Sequence, residues 1–400
     1  MTILKICFAV CEYNPLHNGH LQHLNYIKEE LSPDLLVLIM SGNFTQRGEI
    51  AVLDKYTRAT HAILAGADAV LELPTIFATG NAEIFAKGAI KLLSSFKGEH
   101  EICFGTESAT ENSLLKTSAT LLKETAEFKN LYKEELKSGI TSIRAKVNAL
   151  RRMNIQDVDC ELLQSPNNIL GIEYTKAILT QKCNLKIRPI IRQGAGYNDE
   201  ELKDDVSSAT AIRKAVLHGR INETKSSLPD FVYKDLNATL PNCDELIFYS
   251  LLKSTKAELK GIMDCTEGLE NRIKGLLKNT HSLEELKDKL KTKRYTYTRI
   301  SRILLSSMLG IKESFIRKCL KNDLYLKVLA LNGKKDNLLS TLSKMTNVPL
   351  ITRKSDADKL EGVAKECFEK DVFANNIYNF ICKIKTNEYE MKIIKIMTTS

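Results

Sequence analysis

Two histidines, His17 and His20, bracket Asn18 and Gly19 where an apolar run gives way to a helical pattern. Ile6 to Val10 is long enough for one buried strand. Glu12, Tyr13, Asn14 and Pro15 follow, and Pro15 sets a rigid, non-helical bend. Leu21, Leu24 and Ile27 then recur on one helical face. Strand, turn and helix N-terminus together bind phosphate, because the first backbone N–H groups lack partners and the macrodipole adds partial positive charge. Gly19 lets a phosphate approach the backbone. Spaced three apart, His17 and His20 share one face of the first turn, where two imidazoles can donate to a triphosphate and spread charge building on its α-phosphate. A bare His-x-x-His is more often a cap or a surface pair; the strand, bend and glycine around this one favour chemistry.

Elements able to position such a site follow in order. Asp34 to Met40 reads as a second buried strand, Ala69 to Pro74 as a third and Glu101 to Phe104 as a fourth. The second ends in the loop Ser41-Gly42-Asn43-Phe44, and the fourth in Gly105-Thr106-Glu107. Such loops lie at the carboxyl ends of strands, the ligand edge of open α/β sheets. Helical patterns intervene from Asp54 to Gly66 and from Ala82 to Ser95. The alternation predicts an α/β fold with a parallel, doubly wound sheet. Residues 110–160 read as charged helices. Asn167 or Asn168 is expected near a helix cap, Leu185 to Ile191 forms a strand, and Arg192 to Tyr197 is glycine-rich. Ser207, Ser208 and Thr210 then precede Arg213 on a helix, a candidate second phosphate site whose plain alternative is a serine cap.

The chain has 400 residues, 43% of them hydrophobic, which permits a large core and two or three domains. No apolar run approaches membrane-span length, and the N-terminal stretch is too short for a signal peptide, so a cytoplasmic protein without membrane attachment is expected. Ten scattered cysteines in a chain of this size suggest free thiols. Cys7 and Cys11 near three histidines invite a zinc reading, but no second ligand pair has suitable spacing and Cys7 fits a buried strand; no metal site is assigned. Residues 231–400 carry 31 Lys+Arg against 21 Asp+Glu, whereas the remainder holds 27 against 28. A balanced half joined to a basic half suggests catalysis beside polyanion binding, with solvated lysine faces as the plainer alternative. From about 235 helical periodicity dominates, with few strand runs before Leu324 to Leu331. Leu286 to Arg302 concentrates seven cations and interleaves Tyr295 and Tyr297 with Lys293, Arg294, Arg299 and Arg302. Cations neutralise phosphates and tyrosine faces stack unpaired bases, so this stretch is the candidate nucleic-acid contact.

HNGH after a first strand resembles the HxGH motif of the nucleotidyltransferase superfamily, and EYNPLHNGH resembles the tRNA(Met) cytidine acetate ligase family within it. The blocks SGNFTQRGE (41–49), DKYTRA (54–59), GADAVLELP (66–74), FGTE (104–107), SPNNILGIEY (165–174), RQGAGYND (192–199), SSATAIR (207–213), EGLENRI (267–273) and KRYTYTRISR (293–302) extend the likeness along most of the chain. Leu16 stands where that family has Phe and Ile50 where it has Pro; residues 110–160 match poorly. The resemblance implies a nucleotidyltransferase-like (Rossmann-type) ATP-binding catalytic domain over 1–225 and a mainly helical, basic tRNA-binding domain over 235–400. It implies activation of acetate by ATP to acetyl-adenylate and acetylation of the wobble cytidine of elongator tRNA(Met) to N4-acetylcytidine. It also implies nucleotide binding by Val10, Cys11, Glu12, Tyr13, Asn14, Pro15, Leu16, His17, Asn18, Gly19, His20, Leu21, Gln22 and His23, with Gly105, Asn167, Arg192 and Gln193. Magnesium is the expected counter-ion of the triphosphate, and no stable protein partner is expected.

The residues fit that chemistry. Attack of acetate on the α-phosphate needs positive charge and aligned donors, which His17, His20, a helix N-terminus and Arg213 supply. The cytosine amine is a poor nucleophile and needs an activated acyl donor held close. Two other classes remain at this point. A small-metabolite nucleotidyltransferase shares HxGH but has no need of a basic half. A non-catalytic RNA-binding protein shares the basic half but has no need of two phosphate loops.

Overall fold

Alternate residues of β1 (Ile6–Cys11) go to opposite faces: Ile6 and Phe8 join one buried core, Cys7 and Ala9 another. The same alternation divides β2 (Leu35–Ser41), whose seven residues are all buried, and β3 (Ala69–Leu73). Covered on both faces, these strands need no polar side, which is why they read as unbroken apolar runs. The computed structural model describes residues 4–123, 125–153, 158–192, 202, 207–237, 239–390 and 393–397.

With β4 (His100–Thr106) and β5 (Leu185–Ile191), the first half forms a sheet of order β5-β4-β1-β2-β3, every neighbouring pair parallel. This is the doubly wound, Rossmann-type arrangement that the alternation of patterns predicts. After β3 the chain crosses back to the far side of β1, so strand order reverses between β1 and β4. A crevice opens beyond the carboxyl ends of strands at such a point. The turn carrying His17 and His20 leaves β1 there, and Gly105 lies near the end of β4. Three helices, Glu111–Leu122, Ala126–Lys137 and Ser142–Arg152, fill the crossover to β5, burying Leu114, Phe128, Val147 and Leu150.

The second half departs from expectation in one respect. It is mainly helical, as its periodicity predicts, but it also supplies β6 (Leu326–Asn332), β7 (Leu350–Ile351) and β8 (Ile394–Ile396) to the same sheet. β6 lies antiparallel beside β3, opposing Ala69 with Leu331 and Glu72 with Lys327. A structurally separate body therefore does not begin at 235. The physical reason is the edge: without β6, the fully buried β3 would leave one row of backbone groups unpaired. A charge cluster closes the seam. Lys55 Nζ lies 2.7 Å from Glu72 and 2.6 Å from Glu388, and Lys327 contacts both carboxylates. Buried charges are tolerated when paired in this way.

Candidate active site

α1 (Asn18–Tyr26) begins at His17, whose extended backbone makes it the N-cap. Its carbonyl accepts from the N–H groups of His20 (2.8 Å) and Leu21 (3.2 Å). Tyr13 adopts a left-handed backbone with φ 46°, and its ring packs 4.8 Å from that of His20. The rings of His17 and His20 stack with centroids 3.7 Å apart. The His17 backbone N–H donates to His20 Nδ1 at 3.3 Å. An accepting Nδ1 requires the neutral ring to carry its proton on Nε2, which makes that nitrogen a donor. His17 Nδ1 is buried with no hydrogen-bond partner among the described residues. An unsatisfied buried polar atom on a helix N-terminus is what a site built for a ligand leaves behind.

Arg192, just past the end of β5, is tied to the end of β4. Its backbone N–H donates to the Thr106 carbonyl at 2.9 Å. A Cβ on Gly105 would stand 2.8 Å from Arg192 Cγ, so only glycine lets that side chain cross the strand end. The Arg192 charge reaches all three nearby histidines. Burial first, then Arg192 and Arg213, push His17 down to about 3. Burial and Arg192 push His23 down to about 4. His20 is driven well below its ordinary range by burial, His17 and Arg192. Imidazoles held neutral serve as hydrogen-bond donors and acceptors, and the permanent positive charge comes from the arginines.

These histidines give a first expectation. Folded, they stay neutral; unfolded, they titrate near 6.5. Between that value and the depressed ones the unfolded chain binds more protons, so stability must fall as the pH drops. The melting temperature should decline from pH 6.5 to 4.5 and hold nearly constant from pH 7 to 8. A flat profile across the acid range would contradict the buried, neutral assignment.

The second candidate phosphate site sits on the same edge. Ser208 is the N-cap of the Ala209–Leu217 helix, and its Oγ accepts from Ala211 N–H at 3.0 Å. Ser227 Oγ donates to Ser207 Oγ at 2.9 Å, and Thr210 Oγ1 accepts from Arg47 at 3.3 Å. Ser207 and Ser208 thus do the work of a cap and its support, the plainer of the two readings. Arg213 reaches further: it donates to the Asn14 carbonyl at 2.8 Å and to Glu49 at 2.9 Å. It joins the turn after β1 to the 41–49 loop.

Other expected residues divide by position. Asn14 is buried and its Oδ1 accepts from Val52 N–H at 2.8 Å, while Pro15 and Leu16 are buried beneath the turn. Val10, Cys11, Asn18, Gly19 and Leu21 are half-buried, and Gln22 is exposed. His23 Nε2 lies 3.5 Å from Cys103 Sγ. The cap of the Pro166–Gln181 helix is Ser165, with Asn167 and Asn168 in its first turn. Glu107 occupies that N-terminus: it accepts from Asn167 N–H (3.0 Å), Asn167 Nδ2 (2.8 Å) and Asn168 N–H (2.8 Å). Gln193 and the glycine-rich loop after it lie outside the described residues.

Sequence reasoning assigned no role to Arg58 or Gln46, and expected Glu12 only as part of the nucleotide-binding segment. The guanidinium of Arg58, on α2 (Lys55–Leu64), is fully buried and donates to four carbonyls, those of Leu53, Glu12, Ser41 and Gly42. Glu12 Oε1 accepts from Gln46 N–H (2.8 Å) and Ser41 Oγ (3.1 Å). Arg58 and Gln46 lie within DKYTRA and SGNFTQRGE, which the sequence marked only as blocks of family likeness.

The basic stretch is built into the molecule more firmly than its composition suggests. Arg294 pairs with Glu267 at 2.5 Å. Tyr295 is buried, its hydroxyl 3.4 Å from Glu267 and its ring 5.0 Å beneath the Arg299 guanidinium. Arg299 donates to the Asp264 carbonyl at 2.7 Å, and Arg302 lies 3.8 Å from the Asp264 carboxylate. Tyr295 therefore offers no free face for a base, because its ring is needed under Arg299. Lys293 and Tyr297 remain exposed, Tyr297 at the start of the Tyr297–Leu309 helix. That helix abuts the 41–49 loop: a Cβ on Gly48, at φ +76°, would stand 2.4 Å from Arg302 N.

Comparison with known proteins agrees with this geometry. A family model described as HIGH Nucleotidyl Transferase matches residues 4–392. A tRNA(Met) cytidine acetate ligase of Thermosipho melanesiensis is 37% identical over 94% of this chain and 94% of its own. One from Thermoanaerobacter sp. is 38% identical over 95% and 96%. The apo crystal structure of Thermotoga maritima TmcAL superposes with a TM-score of 0.91 at 30% identity, covering 99% of this chain and 100% of that one. The same protein bound with alpha-thio ATP superposes with a TM-score of 0.89. A nucleotidyltransferase sheet carrying the HNGH turn, with relatives matched end to end, identifies the chain as a member of the tRNA(Met) cytidine acetate ligase family of HIGH nucleotidyltransferases.

Proposed function

We propose that the chain is an ATP-dependent acetate ligase that forms acetyl-adenylate and passes the acetyl group to the wobble cytidine of elongator tRNA(Met), giving N4-acetylcytidine. One observation carries the reading: two stacked neutral imidazoles on a helix N-terminus, one with an unsatisfied buried nitrogen, beside Arg192 and Arg213 at the β1/β4 switch point. An acetate oxygen attacks the α-phosphorus, the bond to the bridging oxygen breaks, and diphosphate leaves. Negative charge grows on the non-bridging oxygens and the leaving group. Fixed donors and guanidinium groups stabilise it without reorganisation. Gly105 near the end of β4, Asn167 bonded to Glu107 just beyond it, and the 10–23 turn after β1 support a nucleotide site on this edge.

Among the described residues no group of three His, Cys, Asp or Glu is placed to hold a metal ion. Magnesium is therefore assigned no protein cage and no step; it belongs with the triphosphate as its counter-ion. No described helix is long and apolar enough to cross a membrane. A tRNA substrate and ten free cysteines fit a cytoplasmic enzyme.

Acetate-dependent exchange of labelled pyrophosphate into ATP tests the first half-reaction. Exchange that needs acetate supports the reading, and exchange driven by another substrate, or none at all, overturns it.

The basic excess of the second half supports tRNA binding there, with Lys293 and Tyr297 as exposed contacts. Lys293→Ala should weaken tRNA binding and make its salt dependence shallower by roughly one phosphate contact, and Tyr297→Ala should weaken it without changing the slope. Arg294→Ala and Arg299→Ala should also lower the melting temperature, since both brace the 264–267 turn. Unchanged affinity and salt slope in Lys293→Ala, measured by filter binding, would place the tRNA elsewhere.

A further inference from the structure

We infer that Glu12 is the base that takes the proton from the cytidine amine during acetyl transfer, held for that task by the loop that follows β2. This rests on the acetate ligase reading above. Glu12 follows directly on β1 at the switch-point edge, before the turn that carries the two histidines. Only one of its oxygens is committed: Oε1 accepts from both Gln46 N–H and Ser41 Oγ. Oε2 carries no hydrogen bond among the described residues, and Glu12 as a residue is half-buried. The backbone is fixed as well, since the Glu12 carbonyl accepts from Arg58 at 2.6 Å. One oxygen anchored and the other open is the geometry of a positioned base rather than of a structural carboxylate.

Other candidates for the proton fit less well. The three histidines of the turn are pushed towards lower basicity by burial and by Arg192. Glu49 is paired with Arg213, and Glu107 is spent on Asn167 and Asn168. The surroundings of Glu12 act in the opposite sense. Burial raises its carboxyl above the usual range, and Glu49 adds to this; the Gln46 N–H, the Ser41 hydroxyl and Arg58 on α2 pull it back in part.

The transfer step balances without a further reactant. The cytidine N4 lone pair attacks the acetyl carbonyl carbon and forms a C–N bond. The tetrahedral adduct collapses, the bond from that carbon to the phosphate oxygen breaks, and AMP leaves with the electron pair. Nitrogen in the adduct bears a positive charge and is far more acidic than the free amine, so a carboxylate suffices to take its proton. Burial then favours the neutral acid until water or product release removes the proton.

Chemically prepared acetyl-adenylate, supplied with tRNA in a single turnover, bypasses the first half-reaction. Glu12→Gln keeps an accepting oxygen for Gln46 and Ser41 but cannot take a proton. It should slow this transfer by roughly 100- to 10,000-fold, beyond whatever loss of pyrophosphate exchange follows from its place in the nucleotide-binding turn. The wild-type transfer rate should rise with pH through an inflection above the ordinary carboxylate range, and Glu12→Gln should lack that inflection. Ser41→Ala removes one anchor and leaves the base, so it should keep the inflection at a reduced rate. Three results would overturn the proposal: normal transfer by Glu12→Gln, as when the leaving phosphate takes the proton; equal losses in both half-reactions; or the same pH profile in both proteins. Failure of the wild-type protein to exchange pyrophosphate would instead refute the acetate ligase reading, independently of Glu12.

Discussion

His17→Ala should reduce acetate-dependent pyrophosphate exchange by roughly 100- to 1000-fold, the usual cost of removing one transition-state donor, while tRNA binding persists. The His17 ring is buried at the N-cap of α1 and its Nδ1 has no full hydrogen bond among the described residues, so alanine there removes a ligand contact and, within the fold, only the weak capping-box approach to the His20 N–H. His20→Ala should lose as much or more. It also removes the acceptor of the His17 N–H and the ring that lies between His17 and Tyr13. A comparison of melting temperatures separates the two contributions. His17→Ala should melt near the wild type, and His20→Ala somewhat below it. Near-normal exchange in either variant would show that the pair caps the helix and takes no part in adenylation. Loss of tRNA binding together with exchange would show that the two substrates share this site.

Arg58→Ala should be the most destabilising substitution in the catalytic half. The guanidinium is fully buried and bonds carbonyls from three places: the end of β1, the end of β2 with its loop, and the segment before α2. Each carbonyl left unpaired costs about 1–3 kcal/mol, and relaxation around the cavity recovers part of the total. A loss of about 3–5 kcal/mol is expected, comparable with breaking a buried charged network. Arg58→Lys keeps the charge but cannot span four acceptors in one plane, so it should fall between the two. It should also impair both half-reactions, since Glu12, Ser41 and Gly42 are held from this one side chain. Urea unfolding measures the effect. If Arg58→Ala unfolds at the wild-type urea concentration, the strand ends are held by something other than this residue.

The sheet of the first half was legible because each strand is buried on both faces and so announces itself as a short apolar run between turn residues. β6 was legible as a strand for the same reason, but its partner was not. Nothing local to Leu326–Asn332 says that it lies antiparallel to β3, more than 250 residues earlier in the chain. The sheet runs across the expected boundary at 235 for this reason: composition changes there, but backbone pairing does not stop. The basic stretch shows a different limit of composition. Arg294, Tyr295 and Arg299 look like a nucleic-acid surface in one dimension, yet they meet Glu267 and Asp264 in three. Cations and aromatic rings serve a folded network and a polyanion through the same physics, so composition cannot separate these uses.

By itself the sequence determined the strand–turn–helix unit that carries the two histidines, because strand, bend, glycine and helix start are consecutive there and their geometry is local. It also determined the fold class, through periodicities of two and 3.6 residues that are likewise local. Only the tertiary structure decided what that turn can do. The histidines are neutral because the folded core excludes water and because Arg192 and Arg213 arrive from about 175 and 195 residues further along the chain. Glu12 became a candidate base only when β2 and its loop supplied two donors to one of its oxygens. Such properties depend on desolvation and on distances between segments far apart in the chain, which no spacing along the sequence records.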